Sequence, residues 1–202
     1  MSETTSDDRD DATPVSARPR EGSAAHGRPL GFVGLNGLGL AAALRLATRF
    51  PLLGCDEDPA RLSLLIDQAQ GRGEVHTTPI LAELAERCDM VAVLRPTASE
   101  AGATIAGLAA SVTAGTMLLD LSVSDPSNTR RIAAELSDRS VHLLDASLLG
   151  TDAQAEAGRL LILAGGAEAV LKDVRLYLDH LGTVLHVGAI GAGDCLAALL
   201  GA

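Results

Sequence analysis

The stretch Gly34-Leu35-Asn36-Gly37-Leu38-Gly39 has the spacing of a turn built to hold a pyrophosphate. In the pattern G-x-G-x-x-G, the first glycine allows a tight turn out of a strand. The second lets the backbone approach the phosphates, and the third lets helix and strand pack closely. The helix that follows presents unpaired N–H groups and a partial positive charge to the anion. Here Gly34 and Gly39 hold the first and third positions, while Asn36 stands in the second. Asparagine tolerates positive φ better than most residues, yet its side chain takes up space that a pyrophosphate would use. Gly37, beside it, relaxes the loop.

A second group of residues fits the other end of the same ligand. Cys55-Asp56-Glu57-Asp58 closes the next apolar segment, and Asp56 lies 22 residues past Gly34. That is where an acid would hydrogen-bond an adenosine ribose. Three consecutive acids would repel a 2′-phosphate, and no Arg or Lys follows until Arg61, so NAD(H) is favoured over NADP(H). Asp56 and Asp58 also fit as caps of the following helix. With Leu94 and Pro96, where the apolar run 90–94 stops, the cofactor-binding set is Gly34, Leu35, Asn36, Gly37, Leu38, Gly39, Asp56, Glu57, Leu94 and Pro96.

The elements that must position these residues follow from hydrophobic patterning. Apolar runs predict strands at 30–35, 50–55, near Val75, and at 90–94, 116–121, 141–145, 159–166 and 183–188. Helical patterns fall at 37–49, 59–69, 79–87, 99–110, 126–138 and 167–180, two of them opened by Pro59 and Pro126. Strands that alternate with helices and read as continuous apolar runs indicate an α/β domain of Rossmann type. Its sheet is doubly wound and mainly parallel, with helices on both faces. Residues 1–28 are acidic and rich in Pro, Ser and Gly, too poor in apolar residues to offset ordering entropy, and are expected to be disordered. The dinucleotide domain is expected over 29–190, with a further helix starting in 191–202.

A chain of 202 residues suits one such domain. The formal net charge of −10 argues against a nucleic-acid partner, which would need a basic patch. Cys55, Cys88 and Cys195 are scattered and form no C-x-x-C pair, which reads as reduced thiols in a cytoplasmic protein. The five histidines show no ligand-like i, i+4 pair, so no metal site is expected. The N-terminus has no apolar core of a secretory signal, and no stretch of about 20 apolar residues suggests a membrane span.

With these residues placed, the chain resembles the NAD(P)-binding domain of the β-hydroxyacid dehydrogenase family, which includes 3-hydroxyisobutyrate and 6-phosphogluconate dehydrogenases. Four stretches carry the resemblance in the family's order, over about residues 30–196. GFVGLNGLG (31–39) is similar to G-F-I-G-L-G-x-M-G, and LLDLSVSDPSNTRRIA (118–133) to the D-x-S-T-x-x-P segment. LLDASLLGTDAQAEAGRLLILAGG (143–166) resembles D-A-P-V-S-G-G, A-x-x-G-x-L and G-G. HVGAIGAGDCLAALL (186–200) resembles the G-x-x-G-x-G that begins the family's interdomain helix.

The resemblance implies that serines of the D-x-S and S-G-G segments hold substrate. It also implies a lysine on the interdomain helix as general acid/base, with an asparagine one turn later. Ser122 matches the first serine, followed by Val123 instead of threonine. The S-G-G loop becomes Leu149-Gly150-Thr151, the lysine position falls on Ala197 and the asparagine on Leu200. Alanine cannot supply a proton, a step worth about 10²–10⁴-fold in rate. Lys172 is the one lysine; Tyr177, the one tyrosine, has Leu181 four residues on, so the Tyr-x-x-x-Lys dyad of short-chain dehydrogenases is absent. His142 and His186 fall inside strand patterns. No catalytic residue is assigned beyond Ser122 as a substrate contact, and the family's helical second domain is expected to be lacking. The leading expectation is a module that binds a nicotinamide dinucleotide without turnover. A second is an oxidoreductase completed in trans, with a homodimer or partner chain docking at the apolar 191–202 end. A third is a scaffold that has lost the cofactor.

Overall fold

The computed structural model describes residues 28–201. The expected disordered segment therefore lies, up to residue 27, outside the described residues. Arg28 is described: its guanidinium pairs with Asp89 at 2.6 Å and donates to the Glu86 carbonyl at 2.6 Å.

The strands are β1 (Leu30–Val33), β2 (Leu52–Cys55), β3 (Val75–Thr78), β4 (Met90–Val93), β5 (Met117–Asp120), β6 (His142–Leu149), β7 (Leu160–Gly165) and β8 (Gly182–Gly188). The helices are α1 (Leu38–Ala47), α2 (Pro59–Gln68), α3 (Leu81–Arg87), α4 (Ala98–Ala109), α5 (Pro126–Ser137), α6 (Asp152–Glu156), α7 (Glu168–Leu181) and α8 (Ala192–Leu199). One sheet takes the order β3-β2-β1-β4-β5-β6-β7-β8. It is parallel from β3 through β6, turns antiparallel between β6 and β7, and is parallel again from β7 to β8. This is the Rossmann-type, mainly parallel α/β fold that the patterning indicates.

Two apolar cores cover the two faces. Phe32, Leu44, Leu52, Leu65, Val174 and Leu178 belong to one, which joins α1, α2 and α7 to the sheet. Val33, Leu53, Leu84, Ile105, Leu118 and Ile132 belong to the other, under α3, α4 and α5. Alternate residues of one strand therefore serve different cores, as a sheet covered on both sides requires. Pro59 and Pro126 open α2 and α5, where the missing N–H costs nothing. Asp58 and Asp125 cap these helices, accepting from Ala60 N at 2.9 Å and Ser127 N at 2.8 Å.

Two elements depart from the patterning. β6 runs past the expected 145 to Leu149, because its second half leaves β5 and pairs with β7 instead. The short α6 was not expected. It opens with a capping box in which Thr151 and Gln154 satisfy each other's backbone N–H groups.

Asp145 sits where β6 changes partners. It is fully buried, and its two oxygens accept from Gly191 N at 2.7 Å and Asp194 N at 3.0 Å, tying the start of α8 to the sheet. In Asp145→Asn one of these acceptors becomes an amide that cannot accept. The substitution is expected to cost roughly 1–3 kcal/mol in urea unfolding. Unchanged stability would refute the tie.

Candidate dinucleotide site

The site begins where the sheet order reverses. β1 has β2 on one side and β4 on the other, and the connection from β3 crosses over to β4. In such sheets ligands bind beyond the carboxyl ends of the strands at this switch point. A cleft of about 370 Å³ opens there, lined by Asn36, Gly37, Leu38, Gly39, Leu94, Arg95 and Pro96. Six of the ten residues selected from sequence thus meet in one cleft, and Arg95 joins them.

The loop after β1 is held by close backbone approach. Gly34 adopts φ 95° and donates to the Cys55 carbonyl at 3.0 Å. A side chain on Gly34 would run into the Leu94 carbonyl, and one on Gly39 would run into the Gly34 carbonyl. Positive φ in this loop falls on Gly34 and on Gly37, at 39°, rather than on Asn36; Ser140 is the only described non-glycine residue with positive φ. Asn36 is half-buried beside the cleft, and its carbonyl accepts from Gly39 N at 2.7 Å. No side chain caps α1 and no acid lies in its first turn, so its N-terminal dipole is directed at the cleft. Backbone that no Cβ could share and an uncapped ten-residue helix fit a pyrophosphate.

Leu35 and Asp56 lie beneath this surface. Leu35 packs in the core, and its N–H donates to Asp56 Oδ2 at 2.7 Å. Asp56 is only 1% exposed and also accepts from Asp58 N at 3.0 Å and Arg61 at 3.3 Å. Its carboxylate anchors the loop to β2, and the acid directed outward at this strand end is Glu57. Glu57, with its side chain 66% exposed, receives both terminal nitrogens of Arg95, at 3.0 and 2.8 Å. The Arg95 hydrogen bonds pull the Glu57 carboxyl down to about 2. Arg95 also reaches Glu100 at 3.2 Å, while its Nε is buried and has no protein partner. Sequence reasoning passed over Arg95. Its signal was a charged residue between Leu94 and Pro96, at a strand end that is otherwise apolar.

Ser122 is buried on the far side of β4. Its Oγ accepts from Arg95 N at 3.0 Å, its N–H donates to Asp120 at 3.0 Å, and its carbonyl accepts from Ser147 Oγ at 3.0 Å. Beyond it lies a network of buried acids. Ser124 Oγ donates to Asp120 Oδ2 at 2.6 Å. Asp194 accepts from Ser124 N at 3.1 Å, Thr129 Oγ1 at 2.8 Å and Ser147 Oγ at 3.3 Å. Burial raises the Asp120 carboxyl to about 6, and burial followed by the nearby Asp145 charge raises Asp194. Ala197, at the expected lysine position, is fully buried, Leu149 ends β6, and Leu200 lies on the surface.

Residues 29–191 match the family described as the NAD binding domain of 6-phosphogluconate dehydrogenase. The chain belongs to that family. Human mitochondrial 3-hydroxyisobutyrate dehydrogenase is 30% identical over 177 residues, which is 85% of this chain and 51% of that protein. The Mycobacterium tuberculosis 3-hydroxyisobutyrate dehydrogenase structure with L-serine shares the fold at TM-score 0.78 and 23% identity, covering 86% of this chain and 58% of that one. Psf3, in its complex with NADP+ and 2-OPP, shares it at TM-score 0.76 and 23% identity, over 85% and 61% of the two chains. The chain spans about half the length of the curated relatives it matches.

The raised Asp120 carboxyl has a consequence for stability. Its pKa of about 6 lies above its ordinary 3.8, so the folded state binds the extra proton between these values. Stability is therefore expected to fall by roughly 1–3 kcal/mol as pH rises from about 4 to about 6, then level off. The depressed Glu57 acts with the opposite sign below this window, and its exposure keeps that effect small. Denaturant titrations of wild type and Asp120→Asn at several pH values test this. A slope that survives the substitution would assign it elsewhere.

Proposed function

We propose that this domain holds NAD(H) in preference to NADP(H) and does not carry out hydride transfer by itself. The observation that carries the reading is the packing of Gly34 and Gly39 at the uncapped start of α1, opposite Leu94–Pro96. Gly37 and Leu38 would hold the pyrophosphate by backbone N–H groups, Gly39 would let the helix approach closely, and Glu57 would face the adenosine ribose. A bound nicotinamide would supply hydride chemistry, but the chain's own residues offer little on the substrate side. The Ser122 hydroxyl already accepts from Arg95 N, and Ala197 and Leu149 have no proton to give. Glu57 supports the preference for NAD(H), since a carboxylate at that strand end repels a 2′-phosphate. Three free cysteines, two of them buried, support a reducing, cytoplasmic setting.

A second reading is an oxidoreductase completed by another chain. It is favoured by Leu199 and Leu200 at the end of α8, which are 82% and 59% exposed. A homodimer or partner docking there would supply the missing proton donor. Steady turnover of a hydroxyacid by the purified chain alone would refute the binding-module reading. Turnover only on adding a partner would support the second.

Calorimetric titration with NADH and NADPH tests the cofactor site directly. Micromolar NADH binding is expected; no binding of either dinucleotide near millimolar would leave a scaffold. Asp152 adds a second check. Its carboxylate lies 3.6 Å from where a side chain on Gly37 would begin, beside the start of α1. It competes with phosphate for the helix dipole, so Asp152→Asn is expected to tighten NADH binding about two- to fivefold. Weaker binding would show that the acid organises the loop instead.

A further inference from the structure

The crevice carries acids at its adenosine end, yet Arg95 is a cation already in place there. Val33 pairs with Cys55 on one side and Val93 on the other, so counting on past the strand ends puts Arg95 level with Leu35 and Glu57, one residue beyond Gly34 and Asp56. From that position its side chain reaches across the end of β1 to the first residue past Asp56. Its side chain is only 12% exposed, with the Nε buried and unpartnered among protein groups. Ser122 Oγ fixes its backbone N–H from below. A guanidinium fixed this way at the end of a ribose-binding strand matches what a 2′-phosphate requires: a planar donor set with fixed direction. Two carboxylates neutralise it. Glu57 takes both terminal nitrogens and Glu100 takes a third contact.

We propose that Arg95 and Glu57 together form a masked 2′-phosphate site, in which the Arg95 guanidinium is withheld from NADP(H) by its ion pair with Glu57. The proposal rests on the dinucleotide reading and deepens it. Preference for NAD(H) then has two causes at one residue. The Glu57 carboxylate repels the phosphate, and it also occupies the donors that would bind it. Removing that carboxylate leaves Arg95 with Glu100 alone and with donors directed at the strand end. Arg61 is a weaker source of the same charge, because it is drawn toward Asp56 and Asp58 on the α2 side.

The test is a double-mutant cycle read by calorimetric affinities for NADH and NADPH, with thermal unfolding as the control for folding. Glu57 and the Arg95 head lie near the surface of the crevice, so Glu57→Ser, Arg95→Met and the double variant are expected to fold. In Glu57→Ser, NADPH affinity should rise by about tenfold or more relative to NADH, the gain of a charge-assisted contact and the loss of a repulsion. In the double variant that gain should shrink to the part owed to repulsion alone. An unchanged NADH to NADPH ratio in Glu57→Ser would overturn the masked site while leaving the dinucleotide reading intact. A full gain that persists without Arg95 would overturn it too, assigning selectivity to Glu57 repulsion alone. Binding of neither dinucleotide to any variant would overturn the dinucleotide reading itself, and the masked site with it.

Discussion

The hydrogen bond from the Leu35 N–H to the Asp56 carboxylate ties together the two strand ends on which the candidate site is built. A buried carboxylate is costly unless several donors compensate it, and Asp56 has three: Leu35, Asp58 and Arg61. Displacing the loop after β1 would leave that charge short of a partner, so the loop has one strongly preferred path. The path brings Gly34 against the Leu94 carbonyl and Gly39 against that of Gly34, contacts that no side chain could share. Asp56 is buried just past β2, and Glu57, the next residue, is exposed and meets Arg95. One buried acid thus joins the loop that would hold phosphate to the acid that would face the ribose.

The region beyond β4 is organised on the same principle but without a cation. Asp120, Asp145 and Asp194 are buried together, and serine and threonine hydroxyls and backbone N–H groups provide the compensation. Burial shifts Asp120 and Asp194 upward, and the hydroxyl and backbone donors offset only part of that shift. The arrangement joins β5, β6 and α8 at the place where the sheet reverses direction. It also engages Ser122 and Ser147 in holding the fold, since each already bonds to protein groups. A side chain whose hydroxyl is needed to satisfy a buried neighbour is poorly placed to exchange that bond for a substrate.

Much of this was legible in the residues, for identifiable reasons. The strands of a doubly covered parallel sheet are continuous apolar runs, so Met90–Val93 and Met117–Asp120 stand out at once. Glycines at a strand-to-helix junction mark the loop, because their spacing reports a backbone constraint. The interactions that were not legible are those between residues distant in sequence. Asp56 has the spacing of a ribose-binding acid, and only the fold reveals that its carboxylate lies inward and Glu57 outward. Arg95 looks like an interruption in an apolar strand end until Glu57, 38 residues earlier, is seen to meet it. Asp194 reads as an ordinary acid in the first turn of a helix, yet its partners lie on β6, on α5 and in the loop before α5. The short α6 had a local signature in Thr151 and Gln154, and was missed because five residues leave no hydrophobic period to detect.

The charge around the crevice finally separates affinity from selectivity. Asp56, Glu57, Asp58, Glu100 and Asp152 outnumber Arg61 and Arg95, so net charge alone would oppose any dinucleotide. Exposed charges a few ångströms apart in water interact by only about 1 kcal/mol, however, and salt weakens even that. Backbone N–H groups at a helix start lose little to screening once a phosphate sits directly on them, because the contact excludes water. The pyrophosphate end of the proposed site would therefore depend chiefly on backbone geometry, with a nearby acid such as Asp152 changing affinity only severalfold. At the ribose end the ligand would meet side chains instead of backbone, and on the proposal above a single carboxylate would decide whether an extra phosphate is repelled or received. In the proposed site, affinity would rest on Gly34–Gly39 and selectivity on Glu57 and Arg95, two features joined through the Asp56 carboxylate.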